Sequence, residues 1–157
     1  MNKKNIIIAV LVVVIIAGTV VFVAIKNPKS TSSLTGCEKI SDIQEKDLCY
    51  SNVAGDTDEV SICGKITTAT YKDVCFSNVG IKNANTSMCE KAGTQKDFCY
   101  SKVAVLKEDL TLCNKLTDKQ YDEPFCYLRV AEKKKDISIC QMITVSSIKE
   151  NCLNNLK

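Results

Sequence analysis

The ten cysteines of this 157-residue chain are the side chains whose type and spacing could do chemistry. Thiols pair into disulfides, bind metal ions or act as redox nucleophiles. Intervals of 14 residues alternate here with intervals of 10 to 13 residues, which indicates a unit of about 26 residues repeated five times with two cysteines per unit. An even number of cysteines on a repeated spacing predicts disulfides at Cys37, Cys49, Cys63, Cys75, Cys89, Cys99, Cys113, Cys126, Cys140 and Cys152.

Metal binding and catalysis have no matching motif in this sequence. No two cysteines are closer than ten residues, whereas zinc sites and thiol redox sites use close pairs such as Cys-x-x-Cys. The chain has no histidine, which excludes hydrolases of the Ser-His and Cys-His kinds. The acidic residues are scattered, as they are on solvated helix faces. We therefore expect a protein that is not an enzyme and that has no catalytic residues, no metal and no cofactor.

Two disulfide pairing schemes are compatible with the cysteine spacing. In the first, each bond lies within one unit and closes a hairpin, which pairs residues 37–49, 63–75, 89–99, 113–126 and 140–152. In the second, bonds join neighbouring units across the constant 14-residue interval, pairing 49–63, 75–89, 99–113 and 126–140. The first scheme is favoured because it uses every cysteine, and because a constant turn between units would explain the constant interval without a bond.

Apolar residues around the cysteines have helical spacing. A first helix, helix A, carries the first cysteine of each unit, and polar residues before it are candidate N-caps: Asp58, Asn85, Asp109 and Asp136. A second helix, helix B, carries the second cysteine, which is followed at once by Tyr50, Phe76, Tyr100, Tyr127 or Leu153. A valine or leucine follows four residues after that cysteine, on the same helical face. In units 1 to 3 an aspartate lies two residues before that cysteine, where an acidic residue suits the N-terminus of a helix.

The predicted fold is all-α, with an N-terminal transmembrane helix followed by a small array of five disulfide-stapled helical hairpins. Helices this short are marginal alone in water, so each hairpin must pack on its neighbours. The array occupies residues 37–157, and its units span about 37–57, 58–83, 84–107, 108–134 and 135–157.

The N-terminal region predicts a membrane anchor. Residues 6–25 contain neither charge nor proline, and their 20 residues span about 30 Å as a helix, the thickness of a bilayer's hydrocarbon core. Lys3 and Lys4 favour a cytoplasmic location for residues 1–5, and disulfides persist only in an oxidising compartment. We therefore expect a single-pass, signal-anchored cell-membrane protein with an extracytoplasmic C-terminal domain. Residues 26–36 are predicted to be a flexible linker.

Three other interpretations of the N-terminus stay open. A cleaved signal peptide would have a shorter apolar core and a small-residue cleavage site. The segment Leu34-Thr35-Gly36-Cys37 resembles the lipobox of lipoproteins, although residues 26–33 separate it from the apolar run. A pilin-like precursor would also begin with basic residues and a long apolar helix, but it would carry a glycine before that helix and a glutamate just inside it.

Charge and the absence of catalytic motifs limit the classes of function. The chain carries 21 basic and 18 acidic residues without a basic domain, so we expect no nucleic-acid partner. Asn85-Thr86-Ser87 is a weak glycosylation motif at Asn85. We expect a membrane-anchored, non-catalytic module that binds or scaffolds a protein partner, since repeat arrays form extended binding surfaces. Alternatives are a self-assembling structural envelope protein and, less favoured, a lipoprotein or an enzyme inhibitor.

Overall fold

The computed structural model describes residues 33–157, which form an all-helical array. The predicted cytoplasmic segment 1–5, the predicted span 6–25 and residues 26–32 of the predicted linker lie outside the described residues. The first helix begins at Leu34, inside the segment interpreted as linker. No helix within residues 33–157 combines the length and the apolar character needed to cross a membrane.

Helices A and B of all five predicted units are present among the described residues. The α-helices are α1 (Leu34–Glu38), α2 (Ile43–Thr57), α3 (Ala69–Lys82), α4 (Thr86–Lys91), α5 (Lys96–Lys107), α6 (Asp122–Lys134) and α7 (Ser146–Asn155). The 3₁₀ helices are Val60–Lys65, Gly93–Gln95, Leu110–Lys115 and Ile137–Met142. Helix B of units 1 to 5 is α2, α3, α5, α6 and α7. Helix A is α1 in unit 1, α4 in unit 3, and a six-residue 3₁₀ helix in the other three units. The all-helical array is therefore confirmed.

The N-caps of helix A follow the sequence prediction in three of four units. Asn85, Asp109 and Asp136 each accept a hydrogen bond through the side-chain oxygen from the N–H two residues on, at 3.0, 2.9 and 3.0 Å. The prediction for Asp58 is wrong, because the cap position lies ten residues after the second cysteine, where unit 2 has Glu59. Asp58 is one residue earlier and pairs with the Lys82 ammonium at 3.0 Å.

One turn geometry recurs at all four junctions between units. The residue nine positions after the second cysteine is left-handed in each: Asp58, Ala84, Glu108 and Lys135. At the last three junctions the next N–H donates to a carbonyl five residues back, on Gly80, Ala104 and Ala131, at 2.7, 2.9 and 3.0 Å. This is the Schellman arrangement, and its acceptors are small residues in the last turn of helix B. The repeated turn explains the constant 14-residue interval without a disulfide.

Lys135→Gly is expected to raise the free energy of unfolding of the array by about 0.5–1 kcal/mol. A left-handed backbone costs an L-residue about 1–2 kcal/mol, and glycine removes this cost. Glycine also makes the unfolded chain more flexible, which offsets part of the stabilisation. Lys133→Gly is the matched control, since Lys133 lies within α6 and glycine there is expected to cost up to about 1 kcal/mol. Urea unfolding measures both variants, and equal effects of the same sign would contradict this role of the turn.

Units pack only on their neighbours within residues 33–157. Each helix B contacts helix B of the next unit, helix A of its own unit and helix A of the following one. One core cluster belongs to units 1 and 2 and a second to units 3 to 5, and Phe76 of α3 packs against both. The predicted apolar face of helix B is buried, as Val53, Val79, Val103 and Val130 show.

Each cysteine pair closes its own unit. The bonds are Cys37–Cys49, Cys63–Cys75, Cys89–Cys99, Cys113–Cys126 and Cys140–Cys152, with Cα–Cα distances of 5.3 to 5.7 Å. This is the within-unit scheme, and all ten cysteines are paired. The sulfur of Cys37 is bonded to Cys49, so it offers no thiol for lipid attachment in this structure.

Asp47 joins unit 1 to unit 2. Its side chain is fully buried, and its two carboxylate oxygens accept hydrogen bonds from the N–H groups of Thr67 (3.0 Å) and Thr68 (2.7 Å). Burial raises the pKa of this carboxyl, but the hydrogen bonds from Thr67 and Thr68 and the charge of Lys72 outweigh it, so the pKa lies below its usual value. A carboxylate from one helix B therefore holds the loop of the next unit.

The same carboxylate bridge recurs at the next two junctions. Asp73 accepts hydrogen bonds from the Thr94 N–H (2.9 Å) and hydroxyl (3.0 Å). Asp97 accepts from the Thr117 N–H at 2.8 Å and from the Thr117 hydroxyl. In unit 4 this position is Pro124, which is buried. The aspartates were predicted only to suit the helix N-terminus, and the structure adds this second role in units 1 to 3.

Candidate functional site

The outer face of the array is formed by helix B of each unit. We define it as the residues one before, three after and seven after the second cysteine, which share a helical face because they are four residues apart. In unit 3 they are Phe98, Lys102 and Leu106, and in unit 4 Phe125, Arg129 and Lys133. The second cysteine is fully buried in units 2 to 5 and partly buried in unit 1, so this face points away from the disulfides.

Large apolar side chains are exposed along the first row of the outer face. Leu48 and Phe98 are each 50% exposed, and Phe125 is 39% exposed. Val74 occupies the same position in unit 2 and is half-buried, while unit 5 has Asn151 there. We call Leu48, Val74, Phe98 and Phe125 the apolar row. Single exposed apolar residues are ordinary, but a repeated row across adjacent units indicates an interaction surface.

The second row changes character between units. Its residues are asparagines in units 1, 2 and 5 (Asn52, Asn78 and Asn155) and cations in units 3 and 4 (Lys102 and Arg129). The Lys102 ammonium lies 5.3 Å from the centroid of the Phe98 ring, at cation–π distance. The aromatic ring of the first row therefore helps to hold the cation of the second.

A groove of about 450 Å³ lies beside these two cations, on helices α3, α5 and α6. We call it the unit 3–4 groove. Its apolar lining consists of Ile81, Val105 and Leu106, and its polar lining consists of Lys102, Arg129, Glu132 and Lys133. Leu106 is 55% exposed, so the groove has an accessible apolar surface. Sites that bind organic groups commonly combine such a lining with a few convergent charges.

The charge of the groove is positive. Three cations line it against one carboxylate, and Glu132 accepts a hydrogen bond from the Asn155 amide at 2.6 Å. Within the part of the chain that the structure describes, Lys102, Arg129 and Lys133 form no ion pair. Unpaired cations beside an apolar lining suit an acidic group attached to an apolar one.

The residues that the sequence predicted as sites lie elsewhere. The cysteines form the disulfides of the core, and nine of the ten are fully buried. Asn85 is exposed at the start of α4, where its side-chain oxygen accepts hydrogen bonds from the Ser87 N–H (3.0 Å) and hydroxyl (2.8 Å). Its glycosylation stays a prediction. Among residues 33–157 no group of three or more histidine, cysteine, aspartate or glutamate side chains is placed to hold a metal ion.

Sequence reasoning missed the outer face, although a signal for it was present. The residue directly before the second cysteine is apolar in units 1 to 4, and a helical pattern that buries the cysteine turns its predecessor outward.

Comparison of the chain with models of protein families, with curated proteins and with solved structures found no match.

Proposed function

We propose that this protein is a membrane-anchored, extracytoplasmic, non-catalytic module that binds a protein partner through its outer face. The observation that supports the proposal is the apolar row, in which Leu48, Phe98 and Phe125 expose 39–50% of their surface. Aromatic side chains at the centre of an interface often contribute much of the binding free energy.

The rigidity of the array supports the same function. Every helix B is bonded to its helix A by a disulfide, carboxylate bridges join units 1 to 4, and the buried core joins unit 4 to unit 5. A surface that is ordered before binding loses little conformational entropy when the partner arrives. Neighbouring units also place similar side chains at regular intervals, which suits an extended partner segment.

The proposed location follows from the sequence and the disulfides together. Five disulfides are typical of an oxidising compartment outside the cytoplasm. The apolar segment 6–25 supplies the proposed anchor, with residues 1–5 on the cytoplasmic side.

Photo-crosslinking tests the proposed binding surface. We expect a benzophenone amino acid at position 98 or 125 of the full chain, expressed in its native membrane, to form one discrete adduct with a partner protein. The same probe at Met142, which is 48% exposed on helix A of unit 5, is the control and should not give that adduct. Equal adducts at all three positions, or none at 98 and 125, would contradict the proposal.

A variant pair makes the same test quantitative. Phe98→Asn combined with Phe125→Asn introduces the residue that unit 5 has at this position, Asn151. Thermal stability should change little because both rings are partly exposed, while partner affinity should fall at least about tenfold. An adduct that contains two copies of this chain would instead favour the self-assembling envelope protein.

A further inference from the structure

We infer that the unit 3–4 groove binds an acidic amphipathic segment of the partner protein. The partner's bulky apolar side chains contact Ile81, Val105 and Leu106, and its carboxylates pair with Lys102 and Arg129. This inference rests on the proposed function and specifies the chemistry of the partner.

The placement of the cations is the first reason. The residue three positions after the second cysteine is asparagine in units 1, 2 and 5 and a cation only in units 3 and 4, whose helices α5 and α6 supply six of the seven residues that line the groove. Asparagine at this position is therefore compatible with the repeat, and the array does not need a cation there to fold. Lys102 and Arg129 are free to serve an anionic ligand, and Arg129 can bind a carboxylate through two parallel hydrogen bonds.

The groove's lining is the second reason. Its volume of about 450 Å³ accommodates a few large side chains, and Ile81, Val105 and Leu106 give its lining an apolar part. An amphipathic helix that docks in such a groove presents anchors three, four and seven residues apart. The apolar row continues the contact through Phe98 and Phe125.

Glu132 restricts the ligand further. This carboxylate lies in the lining beside the cations and would repel a densely charged anion such as a nucleic-acid backbone or a phosphorylated surface. Isolated carboxylates can still pair with Lys102 and Arg129, because three cations line the groove against one carboxylate. The nearly balanced charge of the chain, 21 basic against 18 acidic residues, also disfavours a polyanionic partner. An amphipathic helix with isolated acidic residues beside its apolar face fits both constraints.

An unbiased peptide selection tests the inference. The full-length, oxidised chain in detergent micelles is used to select from a random library of displayed 16-residue peptides. We expect enriched peptides to combine aspartate or glutamate with leucine, isoleucine or aromatic residues at helical spacing. Binding of a synthesised winner should weaken at least about tenfold in Lys102→Asn/Arg129→Asn, and it should weaken with salt because exposed charges are screened.

The matched control removes the same charge outside the groove. Lys107→Asn/Lys134→Asn changes two exposed lysines of α5 and α6 that do not line the groove, and it should leave peptide affinity unchanged. Enriched peptides without acidic residues, equal affinity for the Lys102→Asn/Arg129→Asn variant, or equal losses in both double variants would overturn the inference. A further contradicting result is that peptide binding does not depend on Lys102 and Arg129 while binding to phosphatidylglycerol vesicles does. The two cations would then face a membrane.

The two proposals fail in distinguishable ways. If the position-98 crosslink persists in Lys102→Asn/Arg129→Asn at full yield, the outer face binds a protein and the acidic ligand is wrong. If no adduct forms at positions 98 and 125 even in the unchanged chain, the proposed function itself is wrong.

Discussion

Removal of the unit 4 disulfide by Cys113→Ala and Cys126→Ala is expected to destabilise the array by about 3 kcal/mol. The bond closes a loop with a separation of 13 residues, and a crosslink of that size lowers the entropy of the unfolded chain by a corresponding amount. Both cysteines are fully buried, so the variant also loses packing. The melting temperature should fall by roughly 10 °C or more, as measured by circular dichroism.

The terminal disulfide gives a matched comparison. Cys140→Ala/Cys152→Ala removes a bond of similar separation, 12 residues, but unit 5 has a neighbour on one side only within residues 33–157. In an array stabilised by nearest-neighbour contacts, this loss should unfold α7 locally and leave the other units protected. Hydrogen exchange of α5, which packs against α6, should therefore accelerate for the unit 4 variant and not for the unit 5 variant, while α2 stays protected in both. Equal acceleration of α2 and α5 in either variant would contradict nearest-neighbour coupling of the units.

Asp47→Asn is expected to cost about 2 kcal/mol of unfolding free energy at neutral pH. The carboxylate satisfies two N–H groups with two oxygens, whereas an amide has one oxygen and leaves the Thr67 or Thr68 N–H without its acceptor. Urea unfolding at pH 7 measures the loss. Asp56→Asn is the control on the same helix, because Asp56 is exposed, and it should change stability by less than about 0.5 kcal/mol.

The cost of Asp47→Asn should depend on pH. The folded-state pKa of Asp47 is lowered from its ordinary value of 3.8, so its stabilising contribution is fully present above that value. The contribution disappears as the pH falls through the lowered pKa, because the folded protein must then take up the proton. The difference between the unchanged chain and Asp47→Asn should therefore be constant above about pH 5 and shrink in more acidic solution. A difference that stays constant down to pH 2 would contradict the carboxylate's role.

Local features of the sequence predicted the fold well. Helix B could be inferred because Tyr100 and Val103, one and four residues after Cys99, lie on one helical face, and both are buried. The cysteine pairing could be inferred because the bonds within one hairpin join residues close in sequence. Helix A was less accurate: it was predicted as about two turns of helix, and in three units it is a six-residue 3₁₀ helix that ends at an extended, buried residue.

The contacts between units could not be predicted in the same way. The hydrogen bond between Asp73 and Thr94 joins residues 21 positions apart. Neither the spacing of the aspartates nor that of the threonines along the chain predicts this contact. Asp58 was misplaced for a related reason, since it is the left-handed residue of the turn between units, and the residue after it takes the cap position of the next helix. The groove combines α3, α5 and α6, and its lining exists only when three units stack.

The sequence by itself determined the number of units, the two helices of each unit and the residues that form its core. These properties depend on periodicity and on neighbours within one hairpin, and both can be read along the chain. Only the tertiary structure decided which carboxylates join the units, how helix A is wound, and that Phe98, Lys102 and Arg129 lie on the same outer face as the unit 3–4 groove. Those outcomes depend on how the helices stack, because stacking brings together side chains from separate units and leaves others exposed.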